Sequence, residues 1–150
     1  MKRVMAAAAI ALMGTGVMAG EDDITRIKAA GDVAVTMDAL EAAVEGAGAT
    51  VFARVDHAGG AEKVGMDLAP AQLLIFGNPK LGTPAMQDDP LAGLYLPLKV
   101  LVYEQDGQVW LAYEDPAETL GDLEGIAPEA GYIAKMQGAL AKLTGKASGM

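Results

Sequence analysis

Residues 98–114 read LKVLVYEQDGQVWLAYE, and how this stretch folds decides the architecture. Two runs, LKVLVYE and QVWLAYE, alternate apolar and polar positions on either side of Gln105-Asp106-Gly107. An Asp-Gly pair between two such runs supplies the positive backbone angles of a tight hairpin turn. The spacing therefore predicts two adjacent antiparallel strands. By alternation Tyr103 is opposite in parity to Val100 and Val102, and Trp110 to Val109 and Leu111, so the two aromatics are candidates for an outer face.

Working back toward the N terminus, MQDDPLAGLYLP reads as a short helical connection, with Asp88 or Asp89 capping the helix that Pro90 opens. Before it, GNPKLGTP (Gly77–Pro84) reads as a turn that carries the chain off the sheet. Leu73–Phe76 is an apolar run of strand length, predicted to be a central strand buried on both faces. GGAEKVGMDLAP (Gly59–Pro70) suggests a short helix ended by Pro70. TVFARVDH returns to a period of two, with Val51, Ala53, Val55 and His57 on one face. Further back, MDALEAAVEGAG places Met37, Leu40, Val44 and Ala47 at helical spacing after a Thr36 cap, and DVAVT (Asp32–Thr36) alternates as a first short strand.

On the C-terminal side, Ile133, Met136, Leu140 and Leu143 recur at the spacing of a buried helix face, and TGKASGM is expected to fray. The order is β-α-β-β-β-β-α with short extra helices. Strands cluster late instead of alternating strictly with long helices, so the expected fold is α+β, one domain with helices against a largely antiparallel sheet.

The 150 residues are 52% hydrophobic and 21% charged, enough for one core. Lys2 and Arg3, the apolar run Val4–Met13 and the small residues around Ala19 form the pattern of a cleavable secretory signal over residues 1–19. A run of this length is too short to span a bilayer, which needs about 20 apolar residues. The expected organisation is a signal (1–19), an N-terminal segment (20–31), the domain (32–145) and a flexible tail (146–150), in a periplasmic or secreted protein without stable membrane insertion.

Without residues 1–19 the chain carries nine basic residues against twenty acidic ones, a net charge of −11. That field repels phosphate backbones, so nucleic acid is not expected as a partner. The chain has no cysteine, which excludes disulfides, a lipid-modified cysteine and thiol catalysis. Its one serine is Ser148, and its one histidine is His57. Serine hydrolase arrangements and the common zinc sites are thereby excluded, and no metal site is expected. Neither GxGxxG nor GxxxxGK[ST] occurs, and no cofactor is signalled.

What remains is His57, beside Asp56 and one short segment before Glu62 and Lys63. A histidine at a strand end can act as general base or ligand donor, or it can be hydrogen-bonded in place to hold the turn. In the Gly77–Thr83 loop, Asn78, Lys80 and Thr83 offer mixed donors and acceptors, while Gly77 and Gly82 let backbone approach closely.

Ala53–Pro116 also resembles the DUF302 family, small bacterial and archaeal domains of unassigned function. The resemblance rests on Asp56-His57, Phe76-Gly77-Asn78-Pro79, Leu81-Gly82-Thr83-Pro84, Leu96-Pro97 and the hairpin, and extends over about Ala34–Leu143. It implies an α+β domain with one antiparallel sheet, and no particular reaction. His57, Asn78, Lys80 and Thr83 match the family motif; Glu114 departs from it, where Asn is usual before Asp115-Pro116.

These readings converge on a module that binds a small molecule or a cation, with His57, Lys63, Asn78, Lys80 and Thr83 as candidate binding residues. Two alternatives stand beside it. One is an enzyme using His57 as general base, with Lys63 or Lys80 as electrostatic partner; no catalytic set is assigned. The other is a homodimer joined through the Tyr103/Trp110 hairpin.

Overall fold

The computed structural model describes residues 23–150. The expected signal over residues 1–19 lies outside the described residues. Five strands form one antiparallel sheet: β1 (Ile24–Lys28), β2 (Thr50–Asp56), β3 (Ala71–Gly77), β4 (Leu98–Gln105) and β5 (Gln108–Glu114), in the order β1-β5-β4-β3-β2. Among the described residues five α-helices accompany them, α1 (Val33–Gly46), α2 (His57–Lys63) and α3 (Pro79–Asp88) between strands, α4 (Pro116–Gly121) and α5 (Gly131–Ala147) after the last. A 3-10 helix, Pro90–Leu94, precedes β4. The fold is α+β in a single domain, and among the described residues no helix is long and apolar enough to cross a membrane.

The hairpin forms as its sequence dictates. Asp106 and Gly107 both take positive φ, 54° and 76°, and Gln105 pairs with Gln108. That mirror-image turn matches the twist of the flanking strands. The final helix buries Ile133, Met136, Leu140 and Leu143, as their spacing requires. It runs farther than expected: Ala147 and Ser148 are buried, and the Ser148 carbonyl accepts from Ala30 N–H at 2.8 Å. The segment expected to fray is thus tied to the start of the domain.

The first strand lies elsewhere than expected. Asp32–Thr36 is the start of α1, where the Asp32 carboxylate accepts from Val35 N–H at 2.8 Å and caps the helix. Val33 is buried while Val35 is 60% exposed, a split that a strand face cannot produce. Thr36 is buried within α1 and does not cap it. β1 comes from residues 24–28, inside the segment placed ahead of the domain, and pairs with β5 from Ile24↔Glu114 to Lys28↔Trp110.

β3 was expected to be central and buried on both sides. The centre of the sheet is β4, and β3 buries only Leu74 and Phe76; Leu73 and Ile75 are half-buried on the opposite face. The helices cover one face of the sheet. Against it, α1 and α5 pack Met37, Leu40, Val44, Leu140 and Leu143 onto Leu74, Phe76, Val100, Val102 and Leu111. A second cluster, Ala85, Ala92, Leu120, Ile126, Ile133 and Met136, closes one end, and Leu98 packs against both clusters.

A bulge between Val51 and Ala53 shifts the register of β2. The expected common face of Val51, Ala53, Val55 and His57 is therefore broken, because one inserted residue reverses the alternation. Val51 packs on the helix-covered core, and Arg54 reaches Asp38 (2.6 Å) and Glu41 (3.1 Å) of α1. Partial burial lowers the Arg54 pKa, but bonds and charges from both carboxylates outweigh it and raise the value.

Candidate functional site

GNPKLGTP, expected to be a turn, starts helix α3. Asn78 is its cap: the backbone is extended (φ −134°, ψ 119°), and Oδ1 accepts from Lys80 N–H at 3.0 Å. Pro79 follows at the first helical position, where its missing N–H costs nothing. Neither Gly77 nor Gly82 takes positive φ. A Cβ at Gly77 would stand 3.4 Å from both Phe52 Cε2 and Pro97 Cβ, so backbone and these two side chains lie close together here.

That close approach forms the wall of a cleft of about 300 Å³ at one end of the sheet. Phe52, placed by the β2 bulge and 57% exposed, stands at one side. α3 contributes Pro79, Leu81, Gly82, Thr83 and Met86; Gly77 at the end of β3 and the cap Asn78 precede them. Leu96, Pro97 and Leu98 supply another wall, and Met136 of α5 the remaining contact. The Leu96–Pro97 peptide bond is cis. Lys99 Nζ donates to the Tyr95 and Pro97 carbonyls (2.9 and 3.1 Å), which ties this wall to β4. The lining is almost entirely apolar and contains no ionisable side chain.

The structure separates the residues that the sequence grouped. Asn78 and Thr83 line the cleft, and Lys80 is exposed on α3 beside it. His57 and Lys63 bound α2 at the opposite end of the sheet. The register sets the gap: Thr50 pairs with Gly77 and Asp56 with Gln72, so the length of β3, about 17 Å, lies between them. His57 is exposed, and the turn it was expected to hold is held by Asp56, whose carboxylate accepts from Gly59 N–H at 2.9 Å. Gly59 is required there, since a Cβ would fall 2.8 Å from that carboxylate.

A wider depression of about 480 Å³ flanks α2, with Asp56, Glu62 and Asp67 among its lining residues, but not His57 or Lys63. Among the described residues no group of three His, Asp or Glu side chains is placed to hold a metal ion.

Asp88 and Asp89 divide two structural tasks. Asp89 caps the 3-10 helix through Leu91 N–H (2.9 Å) and accepts from Gly125 N–H (3.2 Å). Asp88 accepts from the Tyr132 hydroxyl at 2.8 Å. Burial, reinforced by this bond and the charge of Asp88, pushes the Tyr132 pKa up to about 12.

Sequence reasoning located the Asn78–Thr83 side of the cleft and missed Phe52, Leu81, Met86, Leu96, Pro97, Leu98 and Met136. Leu96-Pro97 stood out as a motif; Phe52 had no signal, because only the bulge turns it to the cleft. Met136 reads from spacing alone as a core residue.

The family model described as "Domain of unknown function DUF302" matches residues 25–143. The chain belongs to the DUF302 family. A crystal structure of an uncharacterized conserved DUF302 protein from Bacillus stearothermophilus superposes with a TM-score of 0.76. It is 20% identical and covers 84% of this chain and 98% of that one, a likeness of fold. Over 98 residues the DUF302 chain is also 41% identical to proteins named fluoride-specific ion channel FluC 1, from Brucella suis biovar 1, and FluC 2, from Brucella melitensis biotype 1. The matched stretch is 65% of this chain and 39% and 36% of those proteins, so the chain spans under two-fifths of the length of these curated relatives.

Proposed function

We propose that this DUF302 domain is a small-molecule-binding module without catalysis, and that its site is the cleft between α3 and the Leu96–Leu98 wall. The observation that carries the reading is the cleft itself: about 300 Å³, lined by apolar groups held on a helix, a strand end and a proline-bearing segment. Its volume falls at the lower end of the range for small-molecule sites, and such sites are mostly apolar with few polar groups. The cation half of the sequence expectation loses its support here, because the cleft offers no carboxylate. The Brucella relatives' activity is not carried over, given the share of their length that this chain spans.

A thermal-shift panel of neutral and charged metabolites tests the reading, with Gly82→Leu as the blocking variant. Gly82 sits on the cleft side of α3, and its Cβ position lies 3.7 Å from Leu96 Cδ1, so a leucine there fills the space. Compounds that raise the melting temperature of the unmodified protein are expected to lose that effect in Gly82→Leu and to keep it in His57→Ala. Equal shifts in the unmodified protein and Gly82→Leu would remove the cleft as the site. Export with loss of residues 1–19 belongs to the same proposal, and the mass of the protein recovered from the periplasm checks it.

A second reading, a two-fold dimer, is favoured by the uncovered sheet face. Val55, Leu73, Leu101, Ala112 and Arg26 form one continuous row across the five strands, beside Tyr103 and Trp110. Arg26 stands 4.6 Å from the Trp110 ring centroid and 5.6 Å from that of Tyr103. Light scattering that finds only monomer at high concentration would remove this reading.

A further inference from the structure

Resting on the cleft reading above, we propose that its ligand is a neutral aromatic molecule carrying one hydrogen-bond acceptor, and that the Asn78 side-chain amide binds that acceptor. The charge follows from the lining. No ionisable side chain faces the cleft, so a charged ligand would leave water without a counter-charge.

The N-terminus of α3 does not supply an anion site in its place. Pro79 has no N–H, Lys80 N–H is taken by Asn78 Oδ1, and the Leu81 and Gly82 N–H groups donate to the Asn78 carbonyl at 2.9 and 3.0 Å. Every donor of the first turn is already used. The Asn78 bond also fixes its amide: with Oδ1 turned toward Lys80, Nδ2 is the free end, with no protein acceptor among the described residues. Asn78, a half-buried lining residue of the cleft, thus keeps an unused donor in Nδ2, and Thr83, the other polar side chain of the lining, is exposed. The aromatic character follows from the exposed Phe52 and Met86, since a ring and a thioether favour a ring as partner.

The test is a fluorescence titration of the purified protein with three probes. Prodan is a neutral naphthyl ketone, 2-(dimethylamino)naphthalene lacks its carbonyl acceptor, and 8-anilinonaphthalene-1-sulfonate is an anionic naphthalene. Prodan is expected to bind about tenfold more tightly than the acceptor-free probe, the worth of one hydrogen bond, and by at least that factor more tightly than the sulfonate, whose charge would be unpaired. Asn78→Asp keeps the cap oxygen but cannot donate, and should reduce the ratio of prodan to the acceptor-free probe to about one. Because it is a ratio within one variant, a general loss of cleft integrity cancels.

If prodan and the acceptor-free probe bind equally in the unmodified protein, or Asn78→Asp preserves their ratio, the role of Asn78 is overturned while the cleft stands. If the sulfonate binds as tightly as prodan, the preference for a neutral ligand is overturned. If no probe binds, or Gly82→Leu binds all three as the unmodified protein does, the cleft reading itself fails.

Discussion

Tyr132 is the side chain whose titration the fold perturbs most plainly. The residue is half-buried, its hydroxyl donates to Asp88, and its pKa rises from 10.0 to about 12. The folded state therefore holds this proton more tightly than the unfolded chain does. The resulting stability is fully present below pH 10 and is lost as pH rises toward 12. Tyr132→Phe should remove the latest phase of tyrosinate absorbance and flatten the fall in urea stability across that window. An unchanged alkaline profile in Tyr132→Phe would contradict the assignment. At this scale the sequence was partly legible. Asn78 and Thr83 were identifiable because Asn-Pro and Gly-Thr-Pro have strong local meaning. His57 was singled out as the lone histidine, and nothing local to it encodes the strand length that separates it from the cleft.

Among the elements, α1 shows how a local pattern misleads. DVAVT alternates over five residues, but Val33, Met37, Leu40 and Val44 continue a helical period for three turns, and the longer pattern has the larger buried surface. Asp32→Ala should cost about 1 kcal/mol, read as a lower urea midpoint, because the Val35 N–H loses its acceptor. Thr36→Val should be neutral or stabilising, since the buried Thr36 hydroxyl has no partner among the described residues. The reverse order of effects would restore Thr36 as the cap. The same ambiguity explains α3: Asn, Pro and Gly mark a turn, and Asn before Pro equally marks a helix cap and first turn. β1 was illegible for another reason. In ITRIK the two isoleucines are three apart, so neither strand nor helix periodicity is expressed in five residues. The β2 bulge leaves no trace in one strand's sequence, because it is a property of the pairing with β3.

In the whole molecule, β1 is what completes the sheet. It hydrogen-bonds the outer edge of β5, its Lys28 Nζ stands 5.5 Å from the Trp110 ring, and the residues just after it bond Val109 and Ser148. A chain beginning at Asp32, the expected start of the domain, would leave the β5 edge unpaired along Val109, Trp110 and Leu111. Unpaired apolar edges recruit other chains. It would also release the C-terminal end of α5, because Ala30 N–H is the group that binds the Ser148 carbonyl. Relative to a chain beginning at Asp23, the shorter one should melt at a lower temperature and sediment partly as aggregate. Melting temperatures within about 2 °C of each other would show that β1 adds little to the fold. A large difference would place the functional unit at residues 23–148, with the cleft at one end of a sheet whose far edge must be paired before the core can close.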